Sequence, residues 1–153
     1  MKTRVDTEWF KNGKIKSEYN YKIGFSIPFT PFFKITFNVK EDGIETHWYE
    51  NGQKKEEINY KNGKEDGLNS GWYENGQKEW EGTFKEGERD GLSTFWYKNG
   101  QKRGEQTFKD GELDGLTILW NENGKKEIEI TYENGKQISE KYWNEDGSVM
   151  EME

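Results

Sequence analysis

The chain has 153 residues, no cysteine, 29% hydrophobic and 35% charged residues, and a formal net charge of −7. The missing cysteines exclude disulfides and thiol chemistry, and the acidic balance argues against a nucleic-acid or anionic-membrane partner. No stretch is apolar enough to span a membrane, and the opening MKTRVDTEWF lacks the apolar core of a signal peptide, so a cytoplasmic protein is expected.

In chain order, a first unit (3–24) carries Trp9, Asn12-Gly13, Tyr21 and Gly24. Segment 25–41 then breaks the pattern and holds five of the nine Phe residues and both prolines. Phe33, Ile35, Phe37 and Val39 alternate with polar residues, which predicts a strand, with Phe25 and Ile27 as its mate across a Pro28–Pro31 bend. Two roles are open for this insertion: an extra hairpin, or an exposed apolar contact site at Phe29, Phe32 and Phe33.

From residue 42 the chain becomes periodic. Trp48, Trp72, Trp96 and Trp120 stand 24 residues apart, in step with Asp-Gly, Asn-Gly and single-Gly positions. The units run 42–65, 66–89, 90–113 and 114–137, with a partial unit at 138–153 around Trp143. All belong to one repeat domain, 1–153, because such units bury surface only on their neighbours. Segments of six to eight residues between glycine turns are strand-length and rich in Trp, Tyr, Phe, Thr and Ile. The expected fold is all-β: an open, single-layer, twisted antiparallel meander of β-hairpins, about twelve strands and roughly 55–60 Å long.

Turn chemistry sets the faces. A three-residue loop at Glu74-Asn75-Gly76, with Gly76 left-handed as a bulge, is expected, and the same loop at Lys85-Glu86-Gly87. On that scheme Leu68, Trp72, Trp80 and Phe84 share one face, with Trp80 leaning into the gaps left by Gly82 and Gly104. The other face carries Tyr49, Tyr73 and Tyr97 together with Glu18, Glu57, Glu81, Glu105 and Glu129. That face is either a solvated surface or a recognition surface, since Tyr offers contact area and a hydrogen bond at low entropy cost.

Catalytic and metal signals are sparse. His47 is the only histidine and has no equivalent in other units. Asp110, Glu112 and Asp114 resemble the start of a calcium loop but lack its closing glutamate. No catalytic residue, metal or cofactor is therefore assigned.

WYENGQK (48–54 and 72–78) and WYKNGQK (96–102), followed by YKNGK, FKEGE, FKDGE and YENGK, resemble the bacterial variant of the MORN repeat over nearly the whole chain except 25–41. The resemblance implies an open β-meander and a binding protein. Many bacterial members are named as antitoxins or immunity proteins, and eukaryotic ones act as scaffolds. A non-catalytic protein that occupies a protein partner is therefore expected, with a scaffold or adaptor as the alternative; the acidic charge suits a basic toxin as that partner, and a monomer is favoured with the oligomeric state left open. The contact residues expected are Tyr49, Tyr73, Tyr97, Glu57, Glu81 and Glu105, joined by Phe29, Phe32 and Phe33.

Overall fold

A computed structural model describes residues 2–26 and 36–150. The described residues form thirteen strands of one open antiparallel sheet and no helix. These are β1 (Lys2–Trp9), β2 (Ile15–Ser26), β3 (Thr36–Glu41), β4 (Gly43–Trp48), β5 (Lys54–Lys61), β6 (Lys64–Glu65) and β7 (Gly67–Trp72). They continue as β8 (Lys78–Lys85), β9 (Glu88–Trp96), β10 (Lys102–Lys109), β11 (Glu112–Trp120), β12 (Lys126–Glu133) and β13 (Lys136–Tyr142). Eleven strands lie side by side; β3 pairs only with β2, and β6 only with β5. At about 4.8 Å per strand the sheet is roughly 50 Å long, shorter than expected because two strands lie off its main path.

Two kinds of turn alternate along its edges. At Asn-Gly, the Tyr73 N–H donates to the Gln77 carbonyl (2.9 Å) and the Gly76 N–H donates to the Tyr73 carbonyl (2.8 Å), with Gly76 at φ 84°. That is the expected three-residue bulged loop. The second loop differs from expectation. Lys85 pairs directly with Glu88, and both Glu86 (φ 51°) and Gly87 (φ 94°) are left-handed, which is a two-residue type I′ turn. Asn62, Asp110 and Asn134 take the same first position.

A further bulge overturns the expected faces. Gly71 pairs with Trp80 but Trp72 pairs with Lys78, leaving Glu79 as an extra residue. Equivalent shifts occur beside Trp48, Trp96 and Trp120. One added residue moves every later side chain of its strand to the other face. Leu68 and Trp72 therefore share a face with Glu81 and Thr83, while Trp80 and Phe84 lie opposite, with Tyr73. Glu57, Glu105 and Glu129 follow Glu81 onto the Trp face, and Tyr49 and Tyr97 follow Tyr73 onto the Tyr face.

No apolar side chain among the described residues is fully buried. The most buried side chains are small and polar: Asn69 and Ser93 at 0% and Ser17 at 1% exposure. A single layer has no second layer to cover its aromatics, so only short side chains in the sheet's midline are overtopped by their neighbours. The fully buried apolar residues of a layered domain are replaced here by stacking between units. The Tyr49, Tyr73 and Tyr97 hydroxyls donate to the carbonyls of Trp72, Trp96 and Trp120 in the next unit, at 2.8, 2.7 and 2.9 Å. Asn51, Asn75 and Asn99 do the same at the loop edge, to Glu74, Lys98 and Glu122. On the opposite edge the type I′ glycines Gly87, Gly111 and Gly135 donate to the carbonyls of Glu65, Arg89 and Leu113 in the preceding unit, and Gly63 donates to Glu41 at the end of the insertion, at 2.8 to 2.9 Å.

The insertion continues β2 and returns as β3, with Phe25 opposite Phe37. A strand over the Phe37–Val39 part and its pairing with Phe25 are as expected. Ile27, the Pro28–Pro31 bend, Phe29, Phe32, Phe33 and Ile35 lie outside the described residues.

Candidate functional site

The Trp face is a set of parallel rows. One alternates Trp and Lys: Trp48 opposite Lys54, Trp72 opposite Lys78, Trp96 opposite Lys102 and Trp120 opposite Lys126. The Lys78 ammonium lies 5.7 Å from the Trp72 ring centre and 5.9 Å from Trp96, and Lys126 lies 4.7 Å from Trp143. The next row alternates carboxylate with a small or apolar residue: Glu18, Thr46, Glu57, Ser70, Glu81, Thr94, Glu105, Ile118 and Glu129. Each lysine of the first row pairs with a glutamate of the second: Lys54 with Glu57, Lys78 with Glu81 (2.6 Å), Lys102 with Glu105, and Lys126 with Glu129 (2.9 Å). A third row is apolar and exposed: Ile44, Leu68, Leu92 and Leu116, at 39 to 52% exposure.

The expected contact residues thus do not form one surface. Glu57, Glu81 and Glu105 are neutralised among tryptophans, and Tyr49, Tyr73 and Tyr97 stand on the opposite side with their hydroxyls bonded to the next unit. Phe29, Phe32 and Phe33 lie outside the described residues.

The Tyr face is organised around gaps and polar midline residues. The Trp80 indole covers Gly71, where an added Cβ would fall 2.2 Å from Nε1. The sequence expectation placed the Trp80 gap at Gly82 and Gly104; instead Gly82 lies against Ser93 and Arg89, and Gly104 against Leu119 and Phe95. Arg103 lies 5.7 Å from the Phe95 ring, beside a shallow groove of about 370 Å³ also lined by Tyr97 and Leu119. Asn69, Ser93 and Thr117 form a buried polar midline, with half-buried Glu45 at the equivalent position of the preceding unit. Asn69 donates to Glu65 (2.8 Å) and accepts from the Asn59 N–H (2.8 Å), and Ser93 bonds to Arg89 (2.9 Å). Thr117 has Leu113 in the partner position, and its hydroxyl is left without a partner.

At the N-terminal end of this face a hydrogen-bonded chain joins Ser17 Oγ to His47 Nδ1 (2.8 Å) and His47 Nε2 to Glu45 (2.7 Å). The three residue types are those of a hydrolytic triad. Ser17, however, is 1% exposed, so no substrate atom reaches its hydroxyl. The chain instead fills the midline, with Tyr19 edge-on to the imidazole at 5.8 Å. Burial, together with Glu45, Glu41 and Glu65, pushes the Tyr60 hydroxyl up to about 12. Burial, then Glu45, raises the Glu41 carboxyl above the ordinary range; burial also raises Glu65, against the opposing hydrogen bond from Asn69. Asp42 is the contrast, lowered chiefly by its hydrogen bond from Lys22. Sequence reasoning missed this grouping, because it puts Glu41, Glu45 and Glu65 on the Tyr face only once the bulges and two-residue turns are known.

Among the described residues no three acidic or histidine side chains converge as a bound ion requires, and no helix is long and apolar enough to cross a membrane. Asp110 forms the tip of a type I′ turn.

No curated protein matches the chain. A family model described as "MORN repeat variant" matches residues 7–22, 41–62, 89–110 and 113–134, more than half of the chain. Residues 66–88 lie outside those matches, yet unit 66–89 has the same Asn-Gly turn, Trp–Lys pairing and tyrosine bond as units 42–65 and 90–113. Matched segments and repeating geometry agree on a repeat-based binding or scaffold protein, and the chain belongs to the MORN repeat variant family.

Proposed function

We propose that this protein acts without chemistry of its own, by stoichiometric binding to another protein in the cytoplasm, and that the partner is a basic toxin which it neutralises by occupation. The observation that carries the reading is the exposure of both sheet faces. The aromatic and aliphatic side chains are ordered in rows, none among the described residues is fully buried, and Ile44, Leu68, Leu92 and Leu116 stand in line at the surface. Ordered apolar surface of this kind supports a protein interface. The acidic balance of −7 favours a basic partner, because opposite charge raises the association rate more than the final affinity. The toxin assignment draws on the naming of bacterial proteins with the same repeat. Co-expression with the product of the neighbouring gene is the test: rescue of growth and co-purification at a fixed ratio are expected. Absence of both defeats the neutralising role and leaves the scaffold role.

A further inference from the structure

Positions 41, 65, 89 and 113 are equivalent, 24 residues apart, and each pairs across a hairpin with an aromatic residue. The pairs are Tyr21 with Glu41, Tyr60 with Glu65, Phe84 with Arg89 and Phe108 with Leu113. In the third of these the chain supplies its own cation. The Arg89 guanidinium lies 5.0 Å from the Phe84 ring centre and 5.5 Å from Phe108, and donates to Ser93. An aromatic cradle of this row therefore seats a guanidinium. One and two units earlier the rings remain, as Tyr60 and Tyr21, but the equivalent of Arg89 is a carboxylate.

We propose that this part of the Tyr face, made by Tyr21, Glu41, Glu45, Tyr60 and Glu65, docks an arginine-bearing basic segment of a partner protein; it rests on the protein-binding reading above. The occupant follows from charge and shape. Every glutamate of the Trp-face row from Glu57 to Glu129 has a lysine partner, whereas no Lys or Arg among the described residues forms an ion pair with Glu41, Glu45 or Glu65. Glu45 already has a direct partner, the His47 imidazole, whose other nitrogen is held by Ser17, so Glu41 and Glu65 are the carboxylates left for an incoming cation. Burial, with neighbouring carboxylates, disfavours the charge of Glu41 and Glu65, at Glu65 against the opposing Asn69 hydrogen bond and the pull of Arg89, and an incoming cation offsets that cost. Tyr rings flanking carboxylates suit a planar guanidinium, which stacks and hydrogen-bonds at once, better than a compact ammonium. A bare metal ion lacks the converging ligands it needs here. A second copy carries the same net negative charge, and its Arg89 is already seated.

The test is calorimetric titration of the full chain with a blocked tri-arginine peptide, with tri-lysine as comparison. Tri-arginine should bind about threefold or more tighter than tri-lysine. Glu65→Arg, which copies the setting of Arg89, should weaken tri-arginine about tenfold or more, because the chain then fills its own cradle. Glu122→Arg, the same charge change in a distant exposed loop, should cost no more than about twofold. If Glu65→Arg fails to fold, Glu65→Gln should still weaken binding about threefold. Equal losses for Glu65→Arg and Glu122→Arg, equal affinity for the two peptides, or no binding would overturn the proposal. So would a dimer in sedimentation that Glu65→Arg dissolves, which would give the surface to a second copy. The toxin reading stands or falls separately: tri-arginine binding with neither growth rescue nor a co-purifying partner removes that reading and leaves the cradle.

Discussion

The two faces of the sheet come from the same 24-residue repeat and balance their charges in opposite ways. On the Trp face the four units from residue 42 to 137 share one internal solution: lysine beside tryptophan, glutamate beside lysine, and Thr46, Ser70, Thr94 or Ile118 in the same row as the glutamates. On the Tyr face the units diverge at equivalent positions, with Glu41 and Glu45, Glu65 and Asn69, Arg89 and Ser93, Leu113 and Thr117. Exposed ion pairs contribute little stability one by one, so the uniform face reads as insulation and register. The varied face is where one unit chemically differs from the next, and binding specificity needs such differences.

The comparison can be broken first at the buried midline. Asn69→Leu strands the Asn59 N–H and removes a donor from Glu65, so urea melts should show a loss of about 2–3 kcal/mol. A loss no larger than for Glu81→Gln on the paired face would erase the distinction. Gly71→Ala comes next. Its methyl would meet the Trp80 indole, and the displacement should cost about 1–3 kcal/mol. In a Trp80→Ala background the same change should cost almost nothing; an unchanged cost would mean that the strain lies elsewhere.

Smaller effects sharpen the picture. Tyr73→Phe removes one bond between units and should lower stability by about 1 kcal/mol, as should Tyr49→Phe and Tyr97→Phe. Unchanged melts for all three would show that the tyrosines hold nothing together. Thr117→Val has the opposite sign. It deletes a buried hydroxyl with no partner, so stability should hold or rise by up to about 1 kcal/mol, and a clear loss would imply a partner for that group.

The smallest effect is a pH dependence. Glu41 and Glu65 have raised values in the folded state, so the folded chain binds their protons more readily than the unfolded chain does. Their destabilising contribution is present at neutral pH and is relieved as pH falls through the folded values toward the ordinary 4.5. Melts from pH 7 downward should show that gain, and Glu65→Gln should flatten it. A wild-type profile with no such difference from Glu65→Gln would remove the crowding argument.

Much of the fold was legible in the sequence because glycine turns and strand-length spacing act locally. The Asn-Gly loops, the meander and the common side of all the repeat tryptophans follow from that spacing. The faces of β5, β8, β10 and β12 did not. Their register depends on a bulge at Lys55, Glu79, Arg103 and Glu127, positions with no shared residue type to mark them. The type I′ turns were marked by Asn62-Gly63, Asp110-Gly111 and Asn134-Gly135; only Glu86 hides its turn, because it accepts φ 51° without being a residue that favours it. The tyrosines were legible as a stripe, but their bonds to the next unit could not be read from one unit alone.

In the regular block, the two-residue β6 aside, each strand pairs with its neighbours in sequence, and the turn glycines reach back only one repeat. Most β proteins fold slowly because distant segments must meet before any contact is rewarded. Here a newly formed hairpin already offers an edge on which the next 24 residues can assemble. Low contact order in an all-β chain predicts folding that zips outward from a central unit, and it lets a whole unit be added or removed by joining like to like, as between Arg89 and Asp114. The β2–β3 excursion is the exception, since β4 must find β2 across an intervening strand. Refolding should therefore show a fast phase for the units after Asp66 and a slower one for closure at Ser17 and His47.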